Sequence, residues 1–125
     1  MNTRLLLGSS AVVMGIAGIA ASFLPQELLA RLEVVPTAAL TVLVQLFGAL
    51  LFAFALVNWT AKGAPMGGIY GRPIALGNLT HFLVGALALL KSAMNGASDP
   101  LIIGAGAVYI GFAISFGIAF FQSPV

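Results

Sequence analysis

The sequence predicts an all-α membrane domain: four transmembrane helices in an antiparallel bundle, with a short interfacial helix between the first and the second. Three observations predict it. Of the 125 residues, 61% are hydrophobic and only 6% charged, with a mean hydropathy of +1.13; a soluble domain carries about 25% charged residues, because its surface must satisfy water. The apolar residues fall in four continuous runs, each near the roughly 20 residues that cross a hydrocarbon core. Pro25, Pro36, Pro65, Pro73 and Pro100 lie at or just outside the run ends, where a missing amide does least harm. Strands would alternate in polarity, and an open sheet edge has no partner in lipid. A single domain over residues 1–125 is expected, since spans this short bury faces only against one another.

The first span is Leu5–Leu24. Arg4 followed by an apolar run and Ala20–Ala21 has the outline of a signal peptide, but the run is longer than a signal core, and a retained span is expected. The segment PQELLARLEVVP follows. Leu24 just before it and Leu28, Leu29 and Leu32 within it recur at helical spacing, with Gln26, Glu27, Arg31 and Glu33 on other faces. That pattern is a short amphipathic helix lying in the interface, and Glu27 and Arg31 stand i, i+4 in the favourable order.

The second span is Pro36–Trp59, the third Ile74–Leu90 and the fourth Leu101–Phe121. Orientation follows the Lys/Arg bias of short loops. Arg4, Lys62 and Arg72 fall on one side, and Arg31 and Lys91 on the other with all three acids, Glu27, Glu33 and Asp99. Three against two favours both termini in the cytoplasm.

Helices associate in lipid where small residues let backbones approach. The first span carries Gly8, Ala11, Gly15, Gly18 and Ser22 at three- and four-residue steps. The fourth carries two small faces, Gly104–Ala107–Gly111–Ser115 and Gly106–Ala113–Gly117. Gly15, Gly18, Gly104 and Gly111 are the expected packing glycines. A second small face on one helix is redundant in a monomer, so a homo-oligomer or a membrane-protein complex partner is expected. Phe112, Phe116, Phe120 and Phe121 add bulk for the core or for lipid.

The polar candidates inside or beside the spans are Gln45, Asn58, Trp59, Arg72, Asn78, Thr80 and His81. Gln45, alone deep in the second span, calls for an interhelical hydrogen bond. On the third span Asn78, His81, Gly85, Ala88 and Ser92 share a face that should point inward. An ionisable group in a span is a candidate site because it is costly to place there. Two roles stay open for His81: locking helices through Asn58, Asn78 or Thr80, which the pattern favours, or holding a ligand. Arg72 suits the interface, where it can hold a lipid phosphate or cap carbonyls.

Several function classes are excluded or unsupported. There is no cysteine, and one histidine cannot assemble a zinc or di-iron site or a bis-His haem. No carboxylate lies within a span, so neither a proton-coupled acid relay nor a nucleophile–base–acid set can be assembled there. The glycines of GGIYG precede no phosphate-loop lysine. A net charge of +2 without a basic run gives no reason for nucleic acid. No catalytic residue, metal or cofactor is called for, and the expected partners are membrane lipids and other membrane proteins.

The stretches FLPQELLARL, LVQLFGALLFAFALVNWTAKGAP and GGIYGRPIALGNLTHFLVGALALLK resemble small bacterial four-helix membrane proteins of the DoxX-like group. The resemblance spans Leu5–Lys91 and is strongest over Asn58–Lys91. It implies a four-helix protein of the bacterial inner membrane. Members of that wider group are linked to quinol-oxidising respiratory complexes, but none of their functional residues maps onto a motif here. The expected role is a non-enzymatic oligomer or accessory subunit of a membrane complex. The alternative is a small transporter or channel, or a quinone- or haem-linked respiratory subunit, using the cluster around His81.

Overall fold

The computed structural model describes residues 2–96 and 99–122. The fold is all-α: four long apolar helices with one short helix between the first and the second, the class the sequence predicts. They are α1 (Thr3–Phe23), α2 (Pro25–Arg31), α3 (Ala38–Ala61), α4 (Gly71–Met94) and α5 (Pro100–Gln122). The long helices have 21, 24, 24 and 23 residues. At about 1.5 Å per residue that is roughly 31–36 Å, enough to cross a hydrocarbon core of about 30 Å. By length and composition all four can cross a membrane, as befits a multi-pass membrane protein.

Helix starts are set by side chains that accept otherwise unpaired amides. Asn2 Oδ1 accepts from Leu5 N at 3.0 Å, Thr37 Oγ1 from Leu40 N at 3.1 Å, and Asp99 Oδ1 from Leu101 N at 2.8 Å. At the end of α2, Glu33 N donates to Ala30 O and Val34 N to Leu29 O. This is a Schellman closure with Glu33 in the left-handed region, at φ 62°. Gly96, at φ +100°, follows the C-cap of α4.

The chain forms two compact units. One is Leu7–Lys62, in which α1 and α3 run antiparallel and α2 lies against α3. Along α1 the buried positions are Leu7, Ser10, Ala11, Met14, Gly18 and Ala21; along α3 they are Gly48, Leu51, Ala55 and Asn58. These three- and four-residue steps are a helix's core stripe. The helices are closest at two glycines. A Cβ on Gly18 would stand 2.7 Å from Phe52 N, and one on Gly48 2.6 Å from Ser22 N. Gly48 thus serves as the partner of Gly18 in bringing the two backbones together. In α2, Pro25 and Leu29 are buried while Gln26, Glu27 and Arg31 are exposed, giving the amphipathic division expected there.

The other unit comprises the first residues of the chain together with Gly63 onward, and is dominated by the antiparallel α4–α5 hairpin. The buried face of α4 is Gly71, Ala75, Asn78, Phe82 and Ala86, and that of α5 is Gly106, Ala113, Phe116 and Ala119. The inward face of α4 is therefore centred on Phe82 and Ala86. Ala88, expected on that face, is exposed, and His81 sits at its margin, half-buried. The rotation has a steric cause: Phe82 stacks on Phe116 with ring centroids 5.8 Å apart and planes within 6°, and these two large rings occupy the hairpin core.

Candidate functional site

In the Leu7–Lys62 unit the polar centre is Asn58, fully buried near the end of α3. Its Nδ2 donates to Ser10 Oγ at 3.0 Å and approaches Met14 Sδ at 3.6 Å. Ser10 Oγ in turn donates to Leu7 O at 2.9 Å. An amide, a hydroxyl and a carbonyl thus form a relay across α1 and α3, and Ser10 is as fully buried as Asn58. Such a bond is worth about 0.6 kcal/mol inside a membrane protein, up to about 1.7. Sequence reasoning missed Ser10. Its signal was a hydroxyl in line with Met14 and Gly18, on the stripe that α1 buries.

Gln45 is exposed, and its Nε2 donates to Ser22 O of α1 at 3.4 Å. Trp59, 49% exposed, faces away from Asn58 and lies under Lys62, whose Nζ is 3.2 Å from the ring centroid. Beside the Gly18–Gly48 crossing, a largely apolar groove of about 500 Å³ is lined by Ile19, Ser22, Phe23, Phe52 and Leu56 with Ala49 and Ala53.

In the α4–α5 unit, the four expected site residues have different surroundings. Asn78 is fully buried and Nδ2 donates back to Ile74 O of its own helix at 2.9 Å. Thr80 is exposed. Arg72, nine residues before His81 and so about 13 Å away along the axis, lies with its guanidinium carbon 4.5 Å over the Phe120 ring. His81 reaches α5, where Nε2 and Tyr109 Oη are 2.9 Å apart.

Tyr109 is the residue on which this geometry turns, and it was not singled out from the sequence. Its ring lies against Gly85, one turn beyond His81; a Cβ on Gly85 would come within 2.5 and 2.6 Å of two ring carbons. Gly85 thus makes room for the ring, and His81 takes its hydroxyl. The ring packs edge-on against Phe82, centroids 4.9 Å apart, and Phe112 adds a further contact to Phe82 at 5.0 Å. The available signal was the sole tyrosine of the last span, in register with Gly106, Ala113 and Phe116.

Chemically these are helix ties. His81–Tyr109 and Asn58–Ser10 each join two helices through a side-chain hydrogen bond. The three carboxylates of the chain lie outside the long helices, so none of those helices offers an acid to orient His81 as a base. Among the described residues, no three His, Asp or Glu side chains gather as they do around a metal ion.

Of the glycines expected at helix contacts, Gly15 lies against Ala55 and Gly18 against the α3 backbone, but Gly104 and Gly111 have open space around them. The face of α5 that meets α4 carries Gly106 instead, where a Cβ would touch Leu89 at 3.6 Å. Because the Phe82–Phe116 and Gly85–Tyr109 contacts fix the rotation of α5, Gly104, Ala107 and Gly111 point outward and are exposed.

Searches of protein families, of characterised proteins and of solved structures find no match to this chain.

Proposed function

We propose that this chain is a small, non-enzymatic membrane protein that works by association, as a homo-oligomer or as an accessory subunit of a larger membrane complex. The observation that carries the reading is the outward face of α5. Gly104, Ala107 and Gly111 leave a shallow, featureless strip on an apolar helix, with nothing within 4 Å of where a glycine side chain would begin. Lipid supplies no hydrophobic drive, and small residues are what let a second helix approach closely enough for dispersion to hold it. A bacterial inner-membrane location with both termini cytoplasmic belongs to this reading, supported by Arg4, Lys62 and Arg72 against Arg31 and Lys91.

The His81–Tyr109 bond favours a locking role over the ligand reading, because a haem iron or quinone oxygen at Nε2 would have to displace the tyrosine hydroxyl. The association reading is tested with Gly111→Leu. A Cβ at Gly111 meets nothing within 4 Å, so the variant should keep its helical circular dichroism, while a helix seated on that face is pushed away. Wild-type protein in nanodiscs or mild detergent should run above its 12.8 kDa monomer mass or retain a membrane partner, and Gly111→Leu should not. A wild-type chain that is monomeric at every concentration, with no co-purifying protein, refutes the reading.

A further inference from the structure

A second feature, independent of the association reading, lies at the end of the α4–α5 unit where α4 begins. Arg72 is half-buried in the first turn of α4, its guanidinium resting on the Phe120 ring. A guanidinium on a ring presents its flat face to the π-cloud, while its five N–H groups radiate from the edge and remain available to acceptors. Among the described residues no side chain or carbonyl accepts a hydrogen bond from Arg72.

The surroundings specify what kind of acceptor fits. Arg4 of the same unit extends a guanidinium nitrogen to within 3.8 Å of where a Gly63 Cβ would sit, beside the loop that leads to Arg72. Among the described residues of this unit the one acid, Asp99, lies at the opposite end of α5. Asp99 begins α5 while Phe120 is near its finish, about 31 Å of helix away. Ile69, Tyr70 and Phe121 are exposed by 83%, 77% and 78%. Exposed aromatic and aliphatic side chains beside unneutralised cations, at the ends of spanning helices, are the composition of a membrane–water boundary. The abundant acceptor at that boundary is the phosphate of a phospholipid. An anionic headgroup leaves that phosphate uncompensated, whereas choline brings its own cation.

We propose that Arg72, seated on Phe120, holds the phosphate of an anionic phospholipid headgroup, with Arg4 as a second cation at the same end. Planar guanidinium edges match phosphate oxygens two at a time, which an ammonium cannot do.

The test counts lipids retained by the purified full chain in native mass spectrometry, after titration with phosphatidylglycerol or with phosphatidylcholine, and with inorganic phosphate as a third probe. The wild type should retain phosphatidylglycerol about five-fold better, the worth of one cation near a lipid surface. Arg72→Gln and Phe120→Leu should remove the preference, Arg72→Lys should keep part of it, and Lys91→Gln, at the far end of α4, should leave it intact. Equal retention of the two lipids by the wild type overturns the proposal, and this comparison needs no variant to fold. So does an undiminished preference in Arg72→Gln. Displacement of phosphatidylglycerol by millimolar inorganic phosphate overturns the lipid assignment in favour of a free-phosphate site.

Discussion

Replacing Gly48 by alanine puts the packing of α1 against α3 to a quantitative test. The new Cβ would lie 2.6 Å from both Ser22 N and Ser22 Oγ, and 2.8 Å from Gly18 O. The hydroxyl can rotate away, but the backbone nitrogen cannot. Ordinary contact begins at 3.4 Å, so the helices must part by 3.4 − 2.6 = 0.8 Å at this point. A gap of that size forfeits a quarter to a half of each dispersion contact it opens, and overpacking of this kind costs about 1–3 kcal/mol. It also breaks the bond from Gln45 Nε2 to Ser22 O, already long at 3.4 Å. Alanine is the better helix former by about 1 kcal/mol, so the clash must be measured against a matched control. Gly8→Ala supplies it, because a Cβ on Gly8 meets nothing within 4 Å. Reversible unfolding in mixed micelles, followed by far-ultraviolet circular dichroism, should place Gly48→Ala about 1–3 kcal/mol below Gly8→Ala. Equal stability of the two variants would refute the close crossing.

Three further outcomes are expected in the same assay. Tyr109→Phe removes one hydroxyl while leaving the ring on Gly85, and should destabilise by about 0.6 kcal/mol, at most about 1.7. Gly85→Ala displaces the ring and loses the same bond to His81, so adding it to Tyr109→Phe should cost less than the sum of the two; full additivity would mean that Gly85 does not position Tyr109. Glu33→Gly should stabilise by about 1 kcal/mol, since a non-glycine residue at φ 62° is strained by roughly that much; a loss of stability would show that the Glu33 side chain is needed at the turn.

The ends of the elements were legible only approximately. The apolar run Ile74–Leu90 lies within a helix that extends from Gly71 to Met94, because capping and backbone bonding, not hydropathy, decide where a helix stops. Asn2, Thr37 and Asp99 were available as caps and carried that information. Of the candidate site, the chemistry of individual residues was legible and their partners were not. Asn58 and His81 could be recognised as polar groups needing company, but nothing along the chain ties position 58 to position 10, or 81 to 109.

What the sequence by itself determined is therefore what lipid demands of any chain. Four runs long enough to cross, and predominantly apolar, must be helices, since no other open segment satisfies its own amides there. The short amphipathic α2 follows from a pattern contained in a dozen neighbouring residues. Tertiary structure decided which faces meet. The fourth span carries two small faces that look equivalent in sequence, and the stacking of Phe82 on Phe116 with the fit of Tyr109 against Gly85 turned Gly106 and Ala113 inward and left Gly104, Ala107 and Gly111 outside. The reason is physical. Hydropathy is a property of each residue alone, whereas helix rotation depends on whether two particular surfaces interlock, and that is fixed only when both are present.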